Sequence, residues 1–223
     1  MIIIKGDEMN IETWLLFFSA YFVVTLSPGP NVLLVIKNAV KYGYKAAATT
    51  ILANLFCQLL IIISIAFGSG ALLVNSPKLF FALKVVGGLY LIYLGVKGLL
   101  NKGGQNKAKV KDIKENQTVT TFSYQKVGKE AFIVSASNPK TVIFLSAFLP
   151  QFLSLDSPVT LQFMIMFLSI ALIVTVVHFV YSYIARNLNQ KWASVKTNAI
   201  FSKITNCAFI AFGFAVLSSH RSA

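Results

Sequence analysis

The sequence predicts an all-α polytopic membrane protein. Six transmembrane helices form two inverted three-helix repeats, with helices 1 and 4 broken at prolines. Three observations predict this. Of the 223 residues, 56% are hydrophobic and only 12% charged, against about 45–50% and about 25% in soluble domains. Six apolar runs approach the roughly 20 residues that a helix needs to cross a bilayer core. The basic residues also sort by loop parity, as cytoplasmic loops require.

The spans lie at about 11–36, 46–67, 79–100, 131–152, 159–185 and 199–217. In lipid every backbone polar group must be satisfied within the segment, so the runs are expected to be helical. The first is too long for a secretory signal, and Ser27-Pro28-Gly29-Pro30 interrupts it without a cleavage site. Residues 1–8 carry no function in this reading, and Met9 is an alternative start. Residues 1–100 make the first repeat and 129–223 the second. Between them, 101–128 is polar and Lys-rich and reads as a cytoplasmic linker. Its Asn116-Gln117-Thr118 fits a glycosylation acceptor, a pattern without meaning on the cytoplasmic side.

Lys37, Lys41 and Lys45 follow span one; eight lysines from Lys97 to Lys129 follow span three; Arg186, Lys191, Lys196 and Lys203 follow span five. The opposite side carries only Lys5, Lys78 and Arg221. This bias puts both termini outside the cytoplasm and fits an even number of spans. The net charge of +13 is then chiefly a topology signal, with attraction to anionic lipid headgroups as a consequence. It does not call for nucleic acid, since so apolar a chain has little solvated surface to offer. Cys57 and Cys207 lie in apolar runs and report neither a disulfide framework nor a metal site.

Two spans hold proline at depth. Ser27-Pro28-Gly29-Pro30-Asn31 interrupts the first, and Ser137-Asn138-Pro139-Lys140 the fourth. Proline removes a donor and clashes with the carbonyl four residues earlier, so the carbonyls of Val24, Leu26 and Ser135 lose their helical partners. Counted from Lys37 and from Lys129, both breaks lie about 14 Å from the cytoplasmic face, near the middle of the bilayer core. Matching breaks in oppositely oriented halves point to the binding site of a secondary transporter. Ser27 before Pro28, and Asn138 before Pro139, also read as a cap followed by proline at the first helical position. The restarted half-helices offer N–H groups to a carboxylate, while Asn31 and the freed carbonyls can accept from an ammonium. A zwitterionic amino acid would satisfy both. The alternative is that the prolines only kink packed helices.

Lys84, Lys140 and His178 are the ionisable groups well inside spans. Lys140 can supplement the helix ends toward a carboxylate, or act as a structural cation on backbone carbonyls. Lys84 lies near the outer face and is expected to snorkel. His178 can carry a proton or stay neutral and bond a neighbouring helix. Asn54 and Gln58, one turn apart on span two, can line a pathway or bond between helices; the interhelical role suits Gln58 better. Gly88 and Gly95, with Gly87 and Gly98, allow close helix packing on span three. No Asp or Glu lies deep in a span, and there is no Walker loop, H-E-x-x-H or G-x-S-x-G. An enzyme, a metal centre and a cofactor are therefore not expected.

Ser27-Pro28-Gly29-Pro30-Asn31, then Gly87-Gly88-Leu89-Tyr90-Leu91-Ile92-Tyr93-Leu94-Gly95, then Asn138-Pro139-Lys140 with Phe144 and Phe148-Leu149-Pro150-Gln151-Phe152, follow one another in order. In this the chain resembles the LysE/RhtB-type amino-acid exporters, from near Asn10 to Leu217. The resemblance implies efflux of amino acids or close relatives across the bacterial inner membrane by secondary active transport, thought to use the proton motive force. It implies substrate-region roles for Pro28, Gly29, Pro30, Asn138, Pro139 and Lys140. Many members carry Asp where this chain has Asn31, which weakens proton coupling at that position. The residues themselves add Ser27, Asn31 and Asn54 to the substrate region and His178 as a candidate proton carrier. The expected partners are an amino-acid substrate, membrane lipid and, as a candidate, a second copy of the chain. A metal-cation exporter of the wider superfamily and a non-transporting scaffold subunit are the rival readings.

Overall fold

A computed structural model describes residues 9–27, 29–75, 77–100, 122–154 and 157–187. It also describes Lys203, Asn206, Cys207, 210–214, Leu217 and Ser218, and omits the side chains of 68–80, 83–84 and 147. Pro28, the Lys84 side chain, residues 1–8, the stretch 101–121 and most of the predicted span 199–217 lie outside the described residues. Among the described residues every regular element is helical.

Helix α1 covers Ile11–Leu26 and is capped by Asn10, whose Oδ1 accepts from the Glu12 amide at 3.0 Å. Helix α2 covers Pro30–Tyr42 and ends at Gly43, whose φ of 91° is the left-handed conformation that glycine adopts freely. There the chain turns at once into α3, Tyr44–Asn75. Helix α4 covers Pro77–Leu100, α5 Tyr124–Ala136 and α6 Pro139–Phe148. A 3₁₀ turn, Leu149–Phe152, follows α6, and α7 runs over Val159–Asn187.

Tyr44–Phe67 and Val159–Asn187 are long and apolar enough to cross a membrane as single helices. The pairs Ile11–Leu26 with Pro30–Tyr42, and Tyr124–Ala136 with Pro139–Phe152, qualify as bent spans, with bends of 58° and 55°. These are the first and fourth predicted spans, and each bends at its prolines. In α4 the described apolar stretch is shorter, Val85–Leu100. Helix α3 runs eight residues past the predicted end of span two at Phe67. Helix α5 starts at Tyr124 and takes in the last residues of the expected linker, because Ser123 N-caps it, accepting from the Lys126 amide at 3.5 Å.

The two bent spans lie side by side. Phe17 of α1 packs on Phe148 and Phe152 at 6.0 and 5.5 Å between ring centroids, and Tyr21 on Phe144 at 5.8 Å. At the other ends, Lys37 of α2 pairs with Glu130 of α5 at 2.7 Å. Helix α7 closes the bundle: Trp14 donates to Ser169 Oγ at 2.9 Å. The described residues near 210 pack on α4 through glycine. A Cβ built on Gly213 would meet the Gly88 carbonyl oxygen at 2.7 Å and the Ile92 amide at 3.1 Å, so only glycine lets these backbones approach.

Candidate functional site

The breaks meet. Asn138 Nδ2 donates to Asn31 Oδ1 at 3.3 Å, and Asn31 Nδ2 donates to Ser135 Oγ and Thr141 Oγ1, each at 3.3 Å. Asn31 and Asn138 are both buried. One amide from the first break is thus held by three groups of the second.

The helix restarts differ between halves. In the second break, Asn138 is the N-cap: its Oδ1 accepts from the Lys140 amide at 3.1 Å, with Pro139 at the first helical position. In the first break, the expected Ser27–Pro28 restart is not the one adopted. Helix α2 starts at Pro30, with Gly29 as its N-cap, and Ser27 instead ends α1, donating its N–H to Val24 O at 3.2 Å. Pro30 disfavours helical backbone at the residue before it, so Gly29 is extended (φ −117°, ψ −174°) and helix cannot begin earlier.

Glycine brings no side-chain cap. The first intrahelical bond of α2 runs from Leu33 N–H to Gly29 O at 3.0 Å. The N–H groups of Asn31 and Val32 have no partner among the described residues and stand at the positive end of the helix dipole.

The carbonyls that the prolines release all find partners. Lys140 Nζ donates to Val24 O at 2.8 Å and Ser27 O at 2.9 Å, Tyr181 Oη donates to Leu26 O at 2.6 Å, and the Asn138 N–H donates to Ser135 O at 3.2 Å. Of the two roles open to Lys140 from sequence, its ammonium here makes the backbone-carbonyl contact. Tyr181, Thr141 and the Ser135 hydroxyl have no signal in the sequence beyond proximity: Tyr181 lies one turn from His178, and Thr141 beside Lys140.

Asn54 faces the breaks by register. One turn before it on α3, Thr50 Oγ1 accepts from Asn38 Nδ2 at 2.9 Å; one turn after it, Gln58 Oε1 accepts from Tyr21 Oη at 3.2 Å. Tyr21 and Asn38 flank the first break, so Asn54 between those pairs is level with it. Asn54 is fully buried, and neither its Nδ2 nor its Oδ1 has a partner among the described residues. Gln58 makes the interhelical bond expected of it. His178 is buried on α7, and neither its Nδ1 nor Asn38 Oδ1 has a partner among the described residues. Buried polar atoms are rarely left so. A separate groove of about 590 Å³, lined by Lys45, Thr49, Leu52, Phe56 and Tyr124, runs between α3 and α5 and includes none of these residues. Among the described residues no three His, Cys, Asp or Glu side chains converge to hold a metal.

The LysE type translocator family matches residues 22–220. The chain belongs to the LysE-type translocator family. Among its relatives is a homoserine/homoserine lactone efflux protein of Salmonella typhi, 28% identical over 216 residues, covering 96% of this chain and all of that one. A leucine efflux protein of Salmonella choleraesuis is 32% identical over 154 residues, 67% of each chain. An uncharacterized membrane protein of Bacillus subtilis, YrhP, is 28% identical over 193 residues, 86% of this chain and 91% of that one. No solved structure matches. Every element of the junction from Leu26 to Lys140 falls within the part of this LysE-type translocator that the family covers.

Proposed function

We propose that the protein exports amino acids or close derivatives from the cytoplasm by secondary active transport, with alternating access around the junction of the two breaks. The observation that carries the reading is the joining of Asn31 to Asn138, Ser135 and Thr141. It puts two half-helix starts and one half-helix end at one level of the bundle, where broken helices of transporters hold their substrates. Efflux of homoserine and of leucine by relatives supports the substrate class.

In this reading the cargo's carboxylate meets the open N–H groups of Asn31 and Val32. Ser27, Gly29 and Pro30 shape the approach, and Pro28 and Pro139 keep the helices open. Asn54 and Asn138 supply amides around the guest, and Lys140 supplies charge. His178 is the candidate proton carrier. The six spans form two inverted repeats in the bacterial inner membrane, with the Lys-rich ends cytoplasmic and both termini outside.

The test is counterflow in proteoliposomes of the full chain, preloaded with unlabelled leucine or homoserine and given the labelled form outside. Accumulation above protein-free vesicles is expected for at least one of them. No accumulation for any of the twenty common amino acids or homoserine, from folded protein, would overturn the reading in favour of a cation exporter or a scaffold subunit.

A further inference from the structure

We propose that the carbonyls ending α1 form a seat for a primary ammonium, filled by Lys140 in the empty protein and by the cargo's amino group in the loaded one. Lys140 is then a tethered surrogate for the substrate. The inference rests on the export reading above and names how the same site is occupied between cargoes.

The seat is built from backbone. Val24 O and Ser27 O, at the negative end of the α1 dipole, both accept from Lys140 Nζ, at 2.8 and 2.9 Å. The cation reaches them from the other half of the chain, across 116 and 113 positions. On its other side the lysine lies against the start of α2. A Cβ on Gly29 would stand 3.6 Å from Lys140 Cδ and 3.9 Å from Nζ. One ammonium therefore stands between the negative end of α1 and the uncapped positive end of α2.

An amino acid carries an ammonium and a carboxylate separated by a single carbon. That dipole complements these helix ends in one orientation, carboxylate toward Asn31 N–H and Val32 N–H, ammonium toward the carbonyls that Lys140 holds. Two ammonium groups on the same two carbonyls repel. Binding thus moves Lys140 off the seat, and rotation about its terminal torsions brings it toward the carboxylate. When the cargo leaves, Lys140 returns. Without it, Ser27 O would stand unpaired during the return of the empty carrier and Val24 O would keep only the Ser27 N–H, a costly state at mid-membrane depth. Exchange has no such requirement, because cargo fills the seat in both directions.

The surrogate therefore predicts a split between fluxes. Lys140→Met keeps the apolar stem and removes the charge. In proteoliposomes with labelled leucine or homoserine, its one-for-one exchange loses the charge that Lys140 lends the carboxylate and is expected to fall, but severalfold less than its net efflux. Net efflux into cargo-free medium is expected to fall about tenfold or more, the factor that corresponds to stranding a buried polar group. Methylammonium, a free ammonium of the right class, is expected to restore net efflux. Equal loss of both fluxes from folded protein, or unchanged net efflux, overturns the surrogate and leaves Lys140 a structural cross-link or a spectator. A second measurement needs no variant: in wild type, amine acylation at Lys140, read by mass spectrometry, is expected to rise severalfold when cargo is added. No rise overturns the displacement. Absence of any amino-acid flux in wild-type vesicles removes the export reading, and the surrogate with it. A flux split that fails in active vesicles removes the surrogate alone.

Discussion

Asn138 Nδ2 donates to Asn31 Oδ1 at 3.3 Å, joining two helix breaks 107 positions apart. With the bonds to Ser135 and Thr141, Asn31 makes three contacts in one buried place. Asn31→Leu strands the buried Asn138 amide and takes a donor from Ser135 and Thr141, and is expected to destabilise the protein by about 1–3 kcal/mol. Asn31→Asp keeps the acceptor for Asn138, and the hydroxyls of Ser135 and Thr141 can turn to donate to it. Thermal unfolding in detergent should therefore rank Asn31→Leu well below Asn31→Asp; equal melting would mean that these bonds do not hold the breaks together.

Gly29 leaves the start of α2 without a side-chain cap. In Gly29→Asp the new carboxylate would accept from the N–H groups of Asn31 or Val32 and stabilise the helix by a few tenths of a kcal/mol. The same carboxylate would fill the place proposed for the cargo's. Stability and transport are thus expected to move in opposite directions: a melting temperature equal to or above wild type, with cargo affinity reduced about tenfold. Unimpaired counterflow in this variant would take the cargo's carboxylate away from α2.

Tyr181 Oη is the hydrogen-bond donor to Leu26 O at 2.6 Å. Tyr181→Phe removes one oxygen and leaves that carbonyl unpaired, at a cost of about 1–3 kcal/mol. A lower melting temperature with an unchanged preference among amino acids is the expected result. A shift in preference would mean that Tyr181 touches the cargo.

Two glycines should respond oppositely to alanine. At Gly213 a Cβ would press on the backbone of Gly88 and Ile92, at 2.7 and 3.1 Å, and backbone cannot yield without parting the helices. Gly213→Ala is expected to destabilise by about 1–3 kcal/mol. At Gly128 the nearest atom is Thr49 Cγ2 at 3.9 Å, so the methyl fits; Gly128→Ala is expected to stabilise α5 by up to about 1 kcal/mol. Melting curves of the two variants measure both.

The Lys37–Glu130 pair ties the Lys-rich ends of the bent spans at 2.7 Å, with both side chains roughly two-fifths exposed. Such pairs contribute about 0–1 kcal/mol. Glu130→Gln is expected to shift the melting temperature only slightly and to make it less sensitive to salt.

Where the spans break was legible from sequence, because proline acts on its own neighbours: Pro30 and Pro139 each remove a donor wherever they stand. The cap at Asn138 was legible for the same reason. The restart after Ser27 was not, because two prolines two residues apart compete, and the second governs the residue between them. The glycines of α4 announced close packing, but their partners, Gly213 for Gly88 and Asn206 and Ile210 for Gly95, are far along the chain.

What the sequence determined by itself was therefore local: apolar length, charge bias between loops, and helices that cannot continue through their prolines. Tertiary structure alone decided which groups the interrupted backbone would meet. Lys140 lies on the carbonyls of Val24 and Ser27, Tyr181 on that of Leu26, and Asn31 among three groups of the other half. The physical reason is distance along the chain. A freed carbonyl demands a donor, but any of several polar residues in a 223-residue chain can supply it, and only the packing of helices selects one.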